Sequence, residues 1–150
     1  MPIKRNEFLK PISREHHHGL LLCWIIKTGL KNKVGLERIK RYTDWFFKNH
    51  LLAHFDIEEK YIFPILGDEH EYIIKALIEH RRLKQFFESS EELHRNLTLI
   101  QVELENHIRF EERILFNEIQ LRATIEQLQQ IKTSHSDSGF LDDLTDPFWL

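Results

Sequence analysis

Histidine and glutamate recur at one spacing in two places in this 150-residue chain. The ten-residue segments that begin at His54 and at His107 both fit the pattern H-x-x-x-E-E-x-x-x-F. Residues four apart in an α-helix lie about 40° apart around its axis, so His54 shares a face with Glu58, and His107 with Glu111. Imidazole and carboxylate are metal ligands. Two such pairs from two helices could therefore supply four ligands to a metal site inside a helical bundle.

The helices that carry these pairs have apolar residues on the same face. Leu51 and Ile62 lie at −3 and +8 from the first histidine, and Leu104 and Leu115 occupy the same positions around the second. Such a stripe should face the protein core. Because a buried carboxylate is costly unless it is paired or bound to a metal, this placement indicates a metal site.

Two further helices each offer a histidine. His80 has apolar residues at +3, +6 and +7, and His17 shows the same pattern. His16 and His18 flank His17, and His16 also places apolar residues at helical spacing. We therefore prefer His17 as the ligand, keep His16 as the alternative, and rank His18 last.

The candidate metal ligands are His16, His17, His54, Glu58, His80, His107 and Glu111, with one histidine taken from the first two. Four histidines and two glutamates suit two metal ions, each with two imidazoles and with both carboxylates bridging. Such ligands favour iron, manganese or zinc over calcium or magnesium. Open coordination positions would remain for water, an oxo or hydroxo bridge, or a diatomic molecule. The adjacent Glu59 and Glu112 are rotated about 140° from the histidine face, which predicts a place on the helix flank beside Lys or Arg.

Helical periodicity extends over almost the whole chain. It predicts helices over residues 13–28, 36–63, 69–88 and 89–119, and a short fifth helix over residues 124–132. Ser13 is the expected N-cap of the first helix and Gly29 its expected end. Ser89 and Thr124 each begin a possible capping box.

Four long helices with short connections predict an all-α fold, an up-down-up-down four-helix bundle with a short C-terminal fifth helix and an irregular tail. We expect one domain over residues 1–132, and a tail over residues 133–150 that is loosely ordered or docked through its aromatic end.

The composition excludes several classes of protein. A net charge of −3 gives no basic surface for nucleic acid. The longest apolar run, residues 20–26, is too short to span a membrane. The polar first ten residues are not a secretory signal, and Cys23 has no partner for a disulfide within the chain. We therefore expect a cytoplasmic protein.

The ordered set of motifs resembles the hemerythrin/HHE cation-binding family. The matching features, over roughly residues 12–119, are Glu15-His16-His17-His18, His54-x-x-x-Glu58-Glu59, Glu79-His80 and His107-x-x-x-Glu111-Glu112. The resemblance implies a four-helix bundle with a non-haem di-iron centre. In that family the centre serves oxygen binding, sensing of oxygen, nitric oxide or iron, or repair of damaged iron centres.

Two departures from the oxygen carriers narrow this expectation. Those proteins have a second histidine where this chain has Lys84, and an aspartate where it has Glu112. The symmetric ligand pattern is closer to the iron-repair and iron-sensing members, although the cysteine-bearing N-terminal segment of the repair proteins is not seen here.

We therefore expect a protein with two bound iron ions that binds O2 or NO, or that senses or handles iron. Zinc or manganese is a possible substitute. The alternatives are a di-iron oxidase or nitric oxide reductase, and a zinc-bound or metal-free helical interaction module. Catalytic turnover, a protein partner and the oligomeric state stay open, with a homodimer as one possibility.

Overall fold

All regular structure in the described part of the chain is helical. A computed structural model describes residues 4–135 and 140–150. Its five helices are α1 (Lys10–Lys31), α2 (36–62), α3 (Glu71–Glu88), α4 (93–122) and α5 (Ile125–Ser134). Within these described ranges, no helix combines the length and apolar character needed to cross a membrane.

The first helix begins earlier and ends later than the sequence predicted. It starts at Lys10 with Pro11 in its first turn, where a missing N–H costs nothing, so Ser13 is not its N-cap. Gly29 does not end α1 either, because the helix continues to Lys31. Gly29 is buried instead, and a Cβ there would lie 2.9 Å from side-chain carbons of Ile39 and Phe148. This glycine permits close packing.

The ends of α2, α3 and α5 agree better with the prediction than those of α1 and α4. The Thr124 capping box is confirmed: Gln127 N donates to Thr124 Oγ1 at 3.1 Å, and Thr124 N donates to Gln127 Oε1. The Ser89 capping box is wrong, since Ser89 is the C-cap of α3. The α4 helix begins at Leu93, after Glu92 in a left-handed conformation with φ 45°.

The second and fourth helices are continuous but locally widened. The α2 helix consists of Leu36–Phe46, π-helical Phe47–Leu51, Leu52–Ile57 and π-helical Glu58–Ile62, and a 3-10 turn, Phe63–Ile65, follows it. The α4 helix consists of Leu93–Phe110, π-helical Glu111–Leu115 and Phe116–Arg122. Short π segments often mark functional sites in helices. Two of these three begin at Glu58 and Glu111.

The core consists of two apolar clusters with a polar layer between them. One cluster includes Leu22, Ile26, Phe46, Phe55, Leu83, Phe87, Leu97 and Leu104. The other includes Leu9, Ile12, Ile62, Phe63, Ile73, Ala76, Leu115 and Phe116. Buried histidines and glutamates separate the two clusters in each of the four long helices. The fold therefore buries these polar side chains between two apolar clusters.

The last residues of the chain lie against α1 and α2. Tyr42 Oη donates to Asp142 Oδ1 at 2.6 Å, and Arg38 Nη2 donates to Asp146 Oδ1 at 2.6 Å. Trp149 packs edge-on against Tyr42, with ring centroids 4.8 Å apart. Residues 1–3 of the predicted domain and 136–139 of the predicted tail lie outside the described residues. The boundary between domain and tail stays a prediction.

Candidate metal centre

Six of the seven candidate ligands meet in the polar layer. One group contains His16, His54, Glu58 and Glu111, and the other contains Glu58, His80, His107 and Glu111. Within each group the ligand atoms lie within 4.8 Å of one another, and every member is buried. We call the metal position at the first group the first position (His16, His54) and the one at the second group the second position (His80, His107). Both glutamates belong to both positions.

His17 does not take part in either group, so the geometry supports His16 rather than His17 as the candidate ligand. His17 is exposed, whereas His16 is only 4% exposed. The apolar pattern after His17 was misleading because it included Trp24, which is 51% exposed. The buried residue at +3 from His16 is Gly19, which a search for apolar side chains overlooks.

The ligand atoms are spaced as a metal shell requires. The Nε2 atom of each of the four histidines lies 3.0 or 3.3 Å from an oxygen of Glu58 or Glu111. With metal–ligand bonds of about 2.1 Å, neighbouring ligands at tetrahedral or octahedral angles are about 3.0 to 3.4 Å apart. The observed distances fit that range.

Several of these atoms have no hydrogen-bond partner. Among the described residues they are Glu58 Oε1 and Oε2, Glu111 Oε2, His80 Nε2 and His107 Nε2. Leaving a buried polar atom unsatisfied costs about 1 to 3 kcal/mol. Coordination to metal ions would satisfy all of them, so the residues present fit a two-metal centre.

Each histidine is also held from its other ring nitrogen by a glutamate of a neighbouring helix. The pairs, by Nδ1–oxygen distance, are His54–Glu15 at 2.8 Å, His80–Glu59 at 2.7 Å, His107–Glu79 at 2.7 Å and His16–Glu112 at 2.6 Å. In order, the pairs link α1 to α2, α2 to α3, α3 to α4, and α4 back to α1. They form a closed ring around the centre.

The histidines keep the ring glutamates charged. The hydrogen bond to His80 lowers the pKa of Glu59. Burial acts to raise the pKa of Glu15, Glu79 and Glu112, but their histidine partners outweigh it and lower each pKa. These carboxylates are therefore charged, and each accepts a hydrogen bond from the Nδ1–H group of its histidine. Each Nε2 faces the centre, where it can bind a metal ion once any proton on it has been released.

The shared glutamates are pushed in opposite directions. Burial and the nearby carboxylate of Glu111 raise the pKa of Glu58. Burial also acts to raise the pKa of Glu111, but His107 and His16 outweigh it and hold that pKa well below its usual value. In turn, burial acts against a charged His107, yet Glu111 and Glu79 raise its pKa to about 10. Without metal, protons occupy part of this site.

The phenylalanine that ends each repeated motif packs near a candidate histidine ligand. The backbone N–H of Phe63 donates to the carbonyl of Glu58 across the π turn, and Phe116 donates to Glu111 in the same way. This turn places the Phe63 ring 5.3 Å from the His80 ring and the Phe116 ring 5.3 Å from the His16 ring. Both aromatic rings help to fix a histidine of the next helix.

The ring glutamates have different outer partners at the two positions. At the second position the partners are lysines of α3: Lys84 lies 3.9 Å from Glu59, and Lys75 pairs with Glu79. At the first position the partners lie outside the four long helices. Arg5 Nη2 lies 3.2 Å from Glu112, and His135 Nε2 lies 3.1 Å from Glu15. The terminal segments therefore contact only one half of the ring among the described residues.

Sequence reasoning missed all four ring glutamates. Glu59 and Glu112 were expected on the helix flank beside Lys or Arg, and they do lie near Lys84 and Arg5, but their main partners are histidines. The dipeptide Glu-His, shared by Glu15-His16 and Glu79-His80, carried a usable signal. Its occurrence at His80 also favours His16 over His17, although the same dipeptide occurs at Glu69-His70, outside the centre.

The comparison with known families agrees with this geometry. The family model described as Hemerythrin HHE cation binding domain matches residues 9–119. That stretch includes all six buried ligands and all four ring glutamates. No curated protein and no solved structure shows a significant match to the chain.

Proposed function

Because this chain belongs to the hemerythrin HHE cation-binding family, we propose that it holds a non-haem di-iron centre that binds O2 or NO, or that senses or handles iron. The observation that carries the proposal is the sharing of Glu58 and Glu111 between two groups of buried ligands. One carboxylate can bridge two ions, so two shared carboxylates and two histidines on each side match a two-metal site. Bound ferrous iron would supply the affinity for a diatomic ligand.

The order of the core clusters supports alternating helix directions. Along α1 the chain passes from Ile12 in one cluster, through His16, to Leu22 in the other. Along α2 it passes from Phe55 to Ile62, in the opposite order of clusters. The α3 helix repeats the order of α1, and α4 repeats that of α2. We therefore retain the up-down-up-down arrangement as part of the proposal.

The two positions differ in how a small ligand would reach them. Phe55 stacks on the His80 ring at 3.8 Å, and Phe63 covers the same histidine from another side. His16 and His54 line a cavity between α1, α2 and α4, whose lining includes His107 of the second position but not His80. An external ligand would therefore reach both histidines of the first position and one histidine of the second.

Metal content tests the proposal directly. Protein produced in iron-replete cells should contain about two irons per chain, the number that this ligand set suits. Replacing both bridging residues, Glu58→Ala with Glu111→Ala, should remove one of the two metal ions. The control Glu118→Ala, at a surface ion pair with Arg122, should leave the metal content unchanged. Zinc alone, or no metal after iron-replete production, would refute the di-iron assignment. Unchanged iron in the double variant would refute the bridging roles.

Spectroscopy of the reduced protein separates ligand binding from catalysis. A stable visible spectrum that changes on adding O2 or NO would support a binding or sensing function. Repeated consumption of NO, O2 or peroxide would instead favour the oxidase or reductase alternative. Location in the cytoplasm and a homodimer stay predictions.

A further inference from the structure

The cavity between α1, α2 and α4 is larger than a diatomic ligand needs. Its volume is about 270 Å³, and it extends from His16 and His54 to the protein surface. Its walls include Leu51, Phe55 and Ile108, which are buried and apolar. A cavity of about 150 Å³ with similar walls is enough to bind benzene. This space can therefore hold an organic molecule with a six-membered ring.

The depression between α3 and α4 offers no equivalent route to the candidate metal ligands. In the internal repeat, His18 corresponds to Arg82 and His50 corresponds to Glu103. Arg82 Nε donates to Glu103 Oε1 at 2.6 Å and bridges α3 and α4 at the surface. The depression beside this ion pair reaches Glu79, and none of its described lining residues is a candidate ligand. The open cavity is thus a feature of one side of the bundle and does not follow from the fold alone.

An aromatic side chain covers part of the outer end of the cavity. Phe140 stacks on His18 with ring centroids 4.1 Å apart and lies 4.6 Å from His50. The ion pair of Asp146 with Arg38 and the hydrogen bond of Asp142 to Tyr42 hold the following residues on the protein. The larger part of the cavity's lining surface is apolar, although Arg14, Glu15 and Asn49 also line it. Candidate metal ligands lie at one end and an aromatic cover at the other.

We propose that this cavity binds a small, uncharged, largely apolar organic molecule of about the size of phenol, with one oxygen donor directed toward the first position. The apolar walls favour a ligand with an apolar body, and the cavity is large enough for a six-membered ring. The inner end, at His16 and His54, is where a hydroxyl would meet a bound metal. This inference rests on the proposed metal centre for that last contact only, because the apolar body binds the walls with or without metal.

Fluorine NMR with 4-fluorophenol tests the proposal on the full chain, loaded with Zn(II) and also metal-free. Saturable binding is expected in both states, and it should be tighter when metal is present. Along the competitor series ethanol, butanol and phenol the affinity should rise, by about fourfold for each buried methylene. Affinity that does not depend on size, or no saturable binding in either state, would overturn the proposal.

Two leucine variants locate the bound probe. Ala53→Leu narrows the cavity, which Ala53 lines, and should weaken binding at least tenfold. Asn106→Leu is the matched control at the corresponding place between α3 and α4 and should leave binding unchanged. Equal effects of both variants would place the probe elsewhere. A third variant, Phe140→Ala, should release the probe faster. An unchanged release rate would show that Phe140 does not cover the bound probe.

Elemental analysis of each sample keeps the two proposals distinct. If the protein bound no metal at all, the di-metal proposal would fail, while the metal-free titration would still decide whether the cavity binds the probe. If metal were present and the probe did not bind, the cavity proposal alone would fail.

Discussion

At the residue scale, the site is built from one repeated unit that uses every defined position of its motif. In the unit that begins at His54, the histidine and Glu58 face the centre, Glu59 holds His80, and Phe63 packs against His80. The unit that begins at His107 does the same for His16. Each motif therefore supplies two candidate ligands and positions a third on the next helix.

The choice between His16 and His17 gives a prediction at this scale. His16→Ala removes one imidazole from the first position and leaves the second position intact, so metal content should fall by about one ion per chain. His17→Ala is the matched control, one residue away on an exposed face, and should keep the full metal content. Elemental analysis measures both. A loss of metal in His17→Ala with none in His16→Ala would contradict the assignment.

At the element scale, the packing of α1 against α4 depends on a glycine. A Cβ added at Gly19 would lie 2.7 Å from Cδ1 of Ile108, a contact too short to persist without movement. Ile108 is buried, and to relieve this contact the end of its side chain would have to move toward the cavity that it lines. Gly19 therefore lets α1 and α4 approach closely beside His16.

Substitution at Gly19 should expose this constraint. Gly19→Ala should lower the free energy of unfolding by about 1 kcal/mol, the lower end of the cost of overpacking a core, because Ile108 can move toward the cavity. Chemical denaturation measures the change. In the background of Ile108→Val, which lacks Cδ1, the same glycine substitution should cost markedly less. An equal cost in both backgrounds would show that the contact is not the cause.

The helices themselves were the most predictable part of the structure, for a physical reason. Apolar periodicity reports the buried face of a helix, so α2 was located within about one residue of its observed extent. The same periodicity identified the face on which His54 and His107 lie. The π turns at Glu58 and Glu111 were not predicted, because no residue type specifies a single wide turn. The ring glutamates were missed because their partners lie on other helices, beyond the reach of spacing along one chain.

At the scale of the whole molecule, the polar layer determines how stability depends on pH. The folded metal-free protein raises the pKa of His107 to about 10, and it also raises the pKa of His16 against the opposing effect of burial. An unfolded histidine has a pKa of about 6.5. The two histidines therefore stabilise the metal-free fold fully below about pH 6.5, and this contribution is lost as the pH rises through the folded values. The raised pKa of Glu58 acts in the same direction, since its protonated form is the one that the folded core accepts.

Metal binding should reverse this dependence, because a metal needs the same groups deprotonated. We expect the melting temperature of metal-free protein to fall between pH 6.5 and pH 10, and the added stability from Zn(II) to grow over the same interval. Thermal unfolding followed by circular dichroism, with and without saturating Zn(II), measures both trends. If the difference in melting temperature between the two samples stayed constant or narrowed with rising pH, then His16, His107 and Glu58 would not release protons when the metal binds. The metal would then have to be bound elsewhere, so this comparison tests the location of the centre through the behaviour of the entire fold.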